Sequence, residues 1–396
     1  MLAVLTAINF VNYVDRYVVS AIAEQIRVEL LLEDDVIGLL GSTFMIVYTV
    51  VAPLSGWLGD RVRRGRVVAV SVGLWSMATI ASGTVDDVGS LLVCRALVGI
   101  GEAGYATVAP SMIADLFAPS ERGRKLSWFY LATPVGSALG YLLGGWIGEL
   151  WGWRAAFFVA GAPGIVLAIV AWWMHEPTRG ANDEGGAAPP PPLAVAWRTM
   201  IGSYEWRVTT IGMTLMTFAI GGIAFWMPTF LQREYQLGAG AANTMFGGVT
   251  VVAGLIGTLS GGWLGDRAMR RDRGGYFRVS GWGLLLGAPL VAVMPMTGDL
   301  VLALVLAFFA ELLLFLNTGP LNAALVGSVP VSMRSIAFAV NVFCIHAFGD
   351  AGSPWLIGVV SANGSLDWAI AGCAIPIAIG GAVLAFAARR MRARDA

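Results

Sequence analysis

Four charged residues stand inside otherwise apolar stretches of this sequence: Asp15 and Arg16 near its start, then Arg95 and Glu102. A charged side chain within a bilayer span costs about 2.5 to 3.5 kcal/mol on insertion scales, so such residues face a cavity or one another. Asp15 and Arg16 diverge by about 100° on a helix, so at most one points squarely at a central axis and the other pairs with a neighbouring helix. Arg95 and Glu102, seven residues apart, share a helix face about 10 Å apart along the axis, able to line one cavity but hardly to touch. In a functional reading Asp15 and Glu102 accept protons, because a carboxylate away from water is costly to keep ionised and a nearby arginine can reset it. Arg16 and Arg95 then hold an anionic group. The competing reading makes all four fixed ion pairs that only orient helices, and a sodium site built from Asp15 and carbonyl groups stays open.

The remaining polar residues in apolar surroundings invite simpler roles. Glu311, His346 and Asp350 read as structural pairs, the last two lying one helical turn apart. Asp115 falls near a span end and is expected in solvent. Asn9, Asn12, Asn317, Asn322 and Asn341 are expected to hydrogen-bond between helices, and the glycines at 99, 101, 104, 136, 140, 144, 145 and 148 to let helices approach closely. Phe225, Trp226, Phe230, Trp282 and Phe338 are expected mostly to face lipid or the interface, with a minority left to line a lipid-sized cavity. Cys94, Cys344 and Cys373 are odd in number and lack metal-site spacing. No metal or other cofactor is therefore expected.

The elements that must position these residues follow from composition. Of 396 residues 57% are hydrophobic and 13% charged, whereas soluble domains are about half apolar and a quarter charged. Apolar runs between breaks predict spans at 2–24, 37–58, 67–85, 90–113, 124–147 and 154–174, then 206–231, 242–264, 277–296, 299–323, 334–361 and 367–388. The expected fold is an all-α membrane protein of twelve transmembrane helices in two six-helix bundles. Its bundles are residues 1–175 and 206–396, joined by a cytoplasmic linker over 176–205 whose Gly185–Gly186 pair and four prolines at 189–192 can neither span a bilayer nor bury a core. The sequence GWLGDR recurs at 56–61 and 262–267, closing the second and eighth spans, which implies two similar halves.

Basic residues set the orientation. With both termini cytoplasmic, the inner side receives Arg61, Arg63, Arg64 and Arg66, then Arg122, Arg124 and Lys125, then Arg267, Arg270, Arg271 and Arg273, and finally Arg389, Arg390, Arg392 and Arg394. The outer side keeps only Arg27, Arg154 and Arg233, which predicts a multi-pass protein of the inner (plasma) membrane. Twenty-five basic residues balance 25 acidic ones, so no field exists to hold nucleic acid. No Ser/His pair, metal cluster or phosphate loop is present, so neither an enzyme nor direct ATP drive is expected.

The loop Gly56-Trp57-Leu58-Gly59-Asp60-Arg61-Val62-Arg63-Arg64-Gly65-Arg66 resembles the signature between the second and third helices of the major facilitator superfamily, and 262–271 resembles its second copy. The usual glycine three positions after the aspartate is replaced by Arg63. Residues 12–17 (NYVDRY), 99–110 (GIGEAGYATVAP), 113–117 (IADLF), 129–130, 134–137, 140–141 and 176–180 (EPTRG) resemble the spinster family of sphingolipid and lysophospholipid transporters. The specific match lies almost wholly in the N-terminal half.

The resemblance implies alternating access by a monomer and export or proton-coupled movement of an amphipathic lipid, a lysolipid or sphingosine-1-phosphate. Asp15 and Glu102 would couple protons, and Arg16, Arg95 and Glu102 would bind substrate in a central cavity between spans 1–6 and 7–12. Asp60, Arg61 and Arg122, with Asp266 and Arg267 in the second copy, would gate, Asp60 accepting from a helix N-terminus near Ser332 and pairing with arginines such as Arg122; the competing reading is a loop that only enforces topology. A proton-coupled drug or small-metabolite antiporter of the same superfamily would share all these features.

Overall fold

The computed structural model describes residues 1–59, 61–178, 192–330 and 333–395. Sixteen α-helices and no strand are found among the described residues. They are α1 (Leu2–Leu30), α2 (Asp34–Gly59), α3 (Arg64–Ser82), α4 (Val88–Leu116), α5 (Pro119–Trp151), α6 (Trp153–Trp172), α7 (Leu193–Gly202) and α8 (Tyr204–Glu234). Then come α9 (Ala239–Met269), α10 (Gly275–Val293), α11 (Leu300–Phe315), α12 (Thr318–Gly327), α13 (Arg334–Ile345), α14 (Ser353–Ala362), α15 (Leu366–Gly372) and α16 (Ala374–Asp395).

Ten stretches are long and apolar enough to cross a membrane, counting α11–α12, α13–α14 and α15–α16 as one each. The other two spans are α1 and α5, of 29 and 33 residues, or about 43 and 50 Å at 1.5 Å per residue against a hydrocarbon core of about 30 Å. Their lower apolarity has a local cause, since α1 carries Asp15 and Arg16 inward and α5 is lined with glycine. The chain is thus an all-α membrane protein of twelve spans. Turn chemistry sets several starts: Asp87 caps α4 by accepting the Ser90 N–H at 2.9 Å, and Asp299 caps α11 by accepting that of Leu302 at 2.8 Å. The Ser90 contacts hold the Asp87 carboxyl below the usual carboxylate range.

Two compact units emerge, one of Met1–Gly186 with Phe225–Gly247, the other of Ala187–Ala224 with Gly248–Ala396. In the first, α5 lies along α1 through its glycines: a Cβ at Gly136 or Gly140 would stand 2.6 Å from the Phe10 or Val14 carbonyl oxygen. Gly99 meets α2 and Gly101 meets α3 in the same way, at 2.6 and 2.7 Å from backbone oxygens. The glycine stripes are therefore packing seams. Phe225, Trp226 and Phe230 are buried in this unit, contrary to the lipid-facing expectation, while Trp282 and Phe338 in the second unit are exposed. Hydropathy cannot distinguish an aromatic in a protein seam from one in lipid.

At one end of the first unit, Arg64 is 5% exposed. It donates to Asp115 at 2.6 Å, Glu176 at 3.1 Å and the Pro177 carbonyl at 3.2 Å. Asp115 is accordingly paired rather than solvated, because the chain after α6 folds back over the end of α4. Each hydrogen bond to a charged group contributes about 1.5 to 3 kcal/mol, so Arg64→Gln is expected to cost about 2 kcal/mol, read as an earlier unfolding midpoint in detergent. An unchanged midpoint would mean that this junction does not hold the three segments.

Each of the three arginines expected on the outer side pairs with acids of the same unit. Arg27 pairs with Glu24 at 2.8 Å, Arg154 with Glu29 and with Asp86 at 2.6 Å, and Arg233 with Glu24 at 2.6 Å and Asp34 at 2.7 Å.

In the second unit the segment read as unable to bury a core departs from expectation. Helix α7 seats Ala196 and Met200 against Trp206, Leu325, Val329, Met333 and Ala337. Ala196 and Met200, about one turn apart, give this ten-residue helix a buried stripe, and the proline and glycine run before it masked that pattern. The last three spans are broken rather than continuous, at Leu316–Asn317, at a π-helical turn over His346–Asp350 and at Cys373.

Candidate functional site

The charged residues of spans one and four meet inside the first unit. Asp15 and Arg16 leave α1 in different directions, as their adjacency requires. Asp15 turns to α3 and accepts the Thr79 hydroxyl at 2.6 Å. Arg16 turns to α4, where Nη2 and Nε donate to the same Glu102 oxygen, Oε2, at 2.6 and 3.1 Å. Its guanidinium lies 5.1 Å from the ring centres of Tyr13 and Phe44 and 5.3 Å from that of Tyr48. Arg95 sits 4.9 Å from the centre of that same Phe44 ring. Cation–π contacts of this kind are worth about 2 kcal/mol when desolvated, so the aromatics of α1 and α2 hold both guanidiniums where the two acids can reach them.

Burial divides the four. Asp15 and Glu102 are 0% exposed and Arg95 2%, whereas the Arg16 side chain keeps 17%. The acids expected to line a cavity are thus enclosed by the bundle, and Arg16 is the member of the set with an open edge. Arg95 Nε and Nη1, Asp15 Oδ1 and Glu102 Oε1 are buried with no hydrogen-bond partner. Two spare donors and two spare acceptors thus lie among groups of net charge zero. Arg95 and Glu102 do not bond, in keeping with their spacing. Thr79, Phe44 and Tyr48 complete the site, and in one sequence nothing marks a span threonine or an i, i+4 aromatic pair as anything but packing.

Toward the start of α1, an open apolar groove of about 650 Å³ runs between α1 and α5 past Thr6, Phe10, Trp128, Leu131 and Val135, the last three of them exposed.

The residues expected to gate are partly in view. Asp60, Ser332 and the side chain of Arg122 lie outside the described residues. Arg61 stacks on Trp57 at 4.0 Å, and Arg267 on Trp263 at 5.8 Å, so each copy of the repeat places its arginine on the tryptophan one turn earlier. Asp266 accepts the Tyr276 hydroxyl at 3.1 Å.

In the second unit His346 Nδ1 meets Asp350 at 3.0 Å, as their spacing suggested. Glu311 does not join them: it accepts the Thr250 hydroxyl at 3.1 Å, and its other oxygen is buried without a partner. The structural ion pair expected for Glu311 is thus absent among the described residues, because the π-helical turn closes His346 onto Asp350. Asn9 reaches the Phe129 carbonyl at 3.1 Å and Asn341 the Thr210 hydroxyl at 3.0 Å, joining helices as expected. Asn322 instead bonds within its own helix, to the Thr318 carbonyl at 2.8 Å.

Comparison with known proteins agrees with this architecture. The family model described as Major Facilitator Superfamily matches residues 5–354. Protein spinster of Drosophila melanogaster is 34% identical over 368 residues, covering 90% of this chain, and the chain spans 61% of that protein's length. Protein spinster homolog 1 of Xenopus laevis is 33% identical over 413 residues, covering 96% of this chain and 78% of the relative. Among solved structures, a bacterial homologue of the human lysosomal transporter spinster, inward-facing and unoccupied, superposes with a TM-score of 0.89 at 22% identity, covering 98% of this chain and 96% of the other. A D-xylose–proton symporter superposes with a TM-score of 0.76 at 17% identity, covering 98% and 96%; at such identities these likenesses establish the fold.

Proposed function

The chain belongs to the Major Facilitator Superfamily and, within it, to the spinster proteins, so it is a membrane transporter and not an enzyme; from that premise we propose that it moves an amphipathic lipid of the lysophospholipid or sphingosine-phosphate type by alternating access, coupled to protons. The observation that carries the reading is the Arg16–Glu102 contact, in which a fully enclosed acid neutralises the one cluster arginine with an open edge. An anionic headgroup arriving at Arg16 competes with Glu102 for the same donors. Protonation of Glu102 removes that competitor, so proton uptake and headgroup binding favour each other. Asp15 and Arg95 hold the complementary charges, and their unpaired atoms let the set re-pair when Glu102 becomes neutral. The open apolar groove along α1 and α5 suits an acyl chain, each CH₂ of which contributes about 0.8 kcal/mol where it is buried.

By the distribution of basic residues the carrier sits in the plasma (inner) membrane with both termini cytoplasmic, and it acts as a monomer. The competing assignment, a proton-coupled drug or small-metabolite antiporter, would use the same charges. Reconstitution of the full chain in liposomes separates the two. Uptake of lysolipids and of sphingosine phosphate is expected to respond to an imposed pH gradient and not to sodium. Drug flux that follows the gradient, with no lysolipid flux, would replace the lipid assignment; dependence on sodium would replace the proton.

A further inference from the structure

The second unit contains a basic cavity remote in sequence from the charge cluster. It has a volume of about 310 Å³ and lies where α7 turns into α8, among Ser203, Tyr204, Arg273, Ser328 and Arg390, with Glu205 as its acidic member. The Arg390 guanidinium rests 4.6 Å from the centre of the Tyr204 ring, which holds it in one orientation. The corner is braced: the Ser203 hydroxyl donates to the Ser328 carbonyl at 3.0 Å and accepts the Trp206 N–H at 3.2 Å. Two guanidiniums, two serines and one carboxylate around a cavity of this size make a net positive cradle suited to a phosphate ester.

Helix α7 enters this corner with a divided surface. Ala196 and Met200 anchor it on the core, while Val195 (51%), Trp197 (53%) and Ile201 (42%) are exposed beside Arg198. Trp197 and Ile201 are one turn apart and form an apolar strip. An exposed tryptophan and isoleucine flanked by arginine is the composition of a helix lying in a membrane interface.

We infer that α7 and the adjoining cavity form a binding site for an anionic phospholipid, with Arg273 and Arg390 on the headgroup phosphate and Trp197 and Ile201 among the upper acyl carbons. Charge complementarity selects the occupant. These residues lie on the side to which the proposed orientation assigns the basic loops, where anionic lipid gives each nearby arginine about 1 kcal/mol. The site does not depend on which substrate the carrier moves.

The test uses the full chain in mixed micelles, where orientation plays no part, so that failure of the site and failure of the orientation are separate results. Retained lipid is counted by native mass spectrometry after titration with phosphatidylglycerol, phosphatidylcholine or inorganic phosphate. Phosphatidylglycerol is expected to be retained and phosphatidylcholine not. Arg390→Gln should weaken retention about fivefold and Arg273→Gln with Arg390→Gln about 25-fold. Arg390→Lys should keep most of it, and Trp197→Ser should weaken it. Arg271→Gln, outside the cavity, should leave it unchanged and serves as the folded control. The inference is overturned if the two lipids are retained alike, if Arg271→Gln matters as much as Arg390→Gln, or if inorganic phosphate displaces the lipid at equal concentration, which would make this a site for the free anion.

Discussion

Glu102→Gln is expected to lower gradient-driven uptake by about two orders of magnitude while the protein still reaches the membrane. The glutamine keeps the shape and one acceptor for Arg16, but it cannot exchange a proton and leaves the cluster one positive charge in excess. A bias of about 3 kcal/mol between conformers is a factor of about 150 in their populations, which is how one fully enclosed group can stall a carrier. Glu102→Ala goes further, since it strips both N–H contacts from a guanidinium whose side chain is 17% exposed. Breaking a buried pair by deleting one partner costs about 3 to 5 kcal/mol, and the open edge of Arg16 places this case at about 3 kcal/mol. The double change Arg16→Gln with Glu102→Gln restores charge balance and should recover most of the stability without the transport. Uptake in liposomes and unfolding in detergent read the two effects separately. If the double variant carried substrate at the original gradient-dependent rate, the pair would be structural only.

The second large effect concerns two neighbouring glycines of α9, at the start of the repeated GWLGDR segment. A Cβ on Gly261 would lie 1.8 Å from the Leu316 carbonyl oxygen and 2.6 Å from its carbon, whereas a Cβ on Gly262 would meet nothing within 4 Å. Leu316 belongs to the break between α11 and α12, so α9 crosses that break with backbone against backbone. A flexible side chain could step aside, but a backbone carbonyl held between two helices cannot move without shifting the chain. Gly261→Ala should therefore cost about 3 kcal/mol by overpacking, while Gly262→Ala, in the same helix, should gain about 0.5 to 1 kcal/mol from the reduced freedom of the unfolded chain. Unfolding midpoints that differ in this direction would confirm the crossing. Equal midpoints would show that α9 does not approach Leu316 so closely.

Much of the site was legible before any coordinates. The cost of placing charge in lipid singled out Asp15, Arg16, Arg95 and Glu102, and helical geometry foretold that Asp15 and Arg16 would part company and that Arg95 and Glu102 would not bond. Periodicity did not say which neighbour each would find. Thr79 as the partner of Asp15, and Phe44 as the ring touched by both guanidiniums, follow from the rotation of α2 and α3 about their own axes, and that rotation is set by side-chain packing over the whole interface. Asp115 shows the same limit: its partner Arg64 lies 51 positions away, and the approach of the α4 end to the α3 start depends on Glu176 and Pro177 closing over both.

What the sequence alone determined was therefore the kind of molecule: apolar runs of spanning length, a loop repeated in both halves and basic residues gathered on one side are properties of the linear order and need no packing to be read. Tertiary structure decided who pairs with whom, which acids are sealed from water, and that the stretch after the prolines folds as a helix against a core. Those outcomes depend on contacts between residues far apart in the chain. Helical period restricts the direction in which a side chain leaves its helix, but only the packed neighbours determine what it meets there.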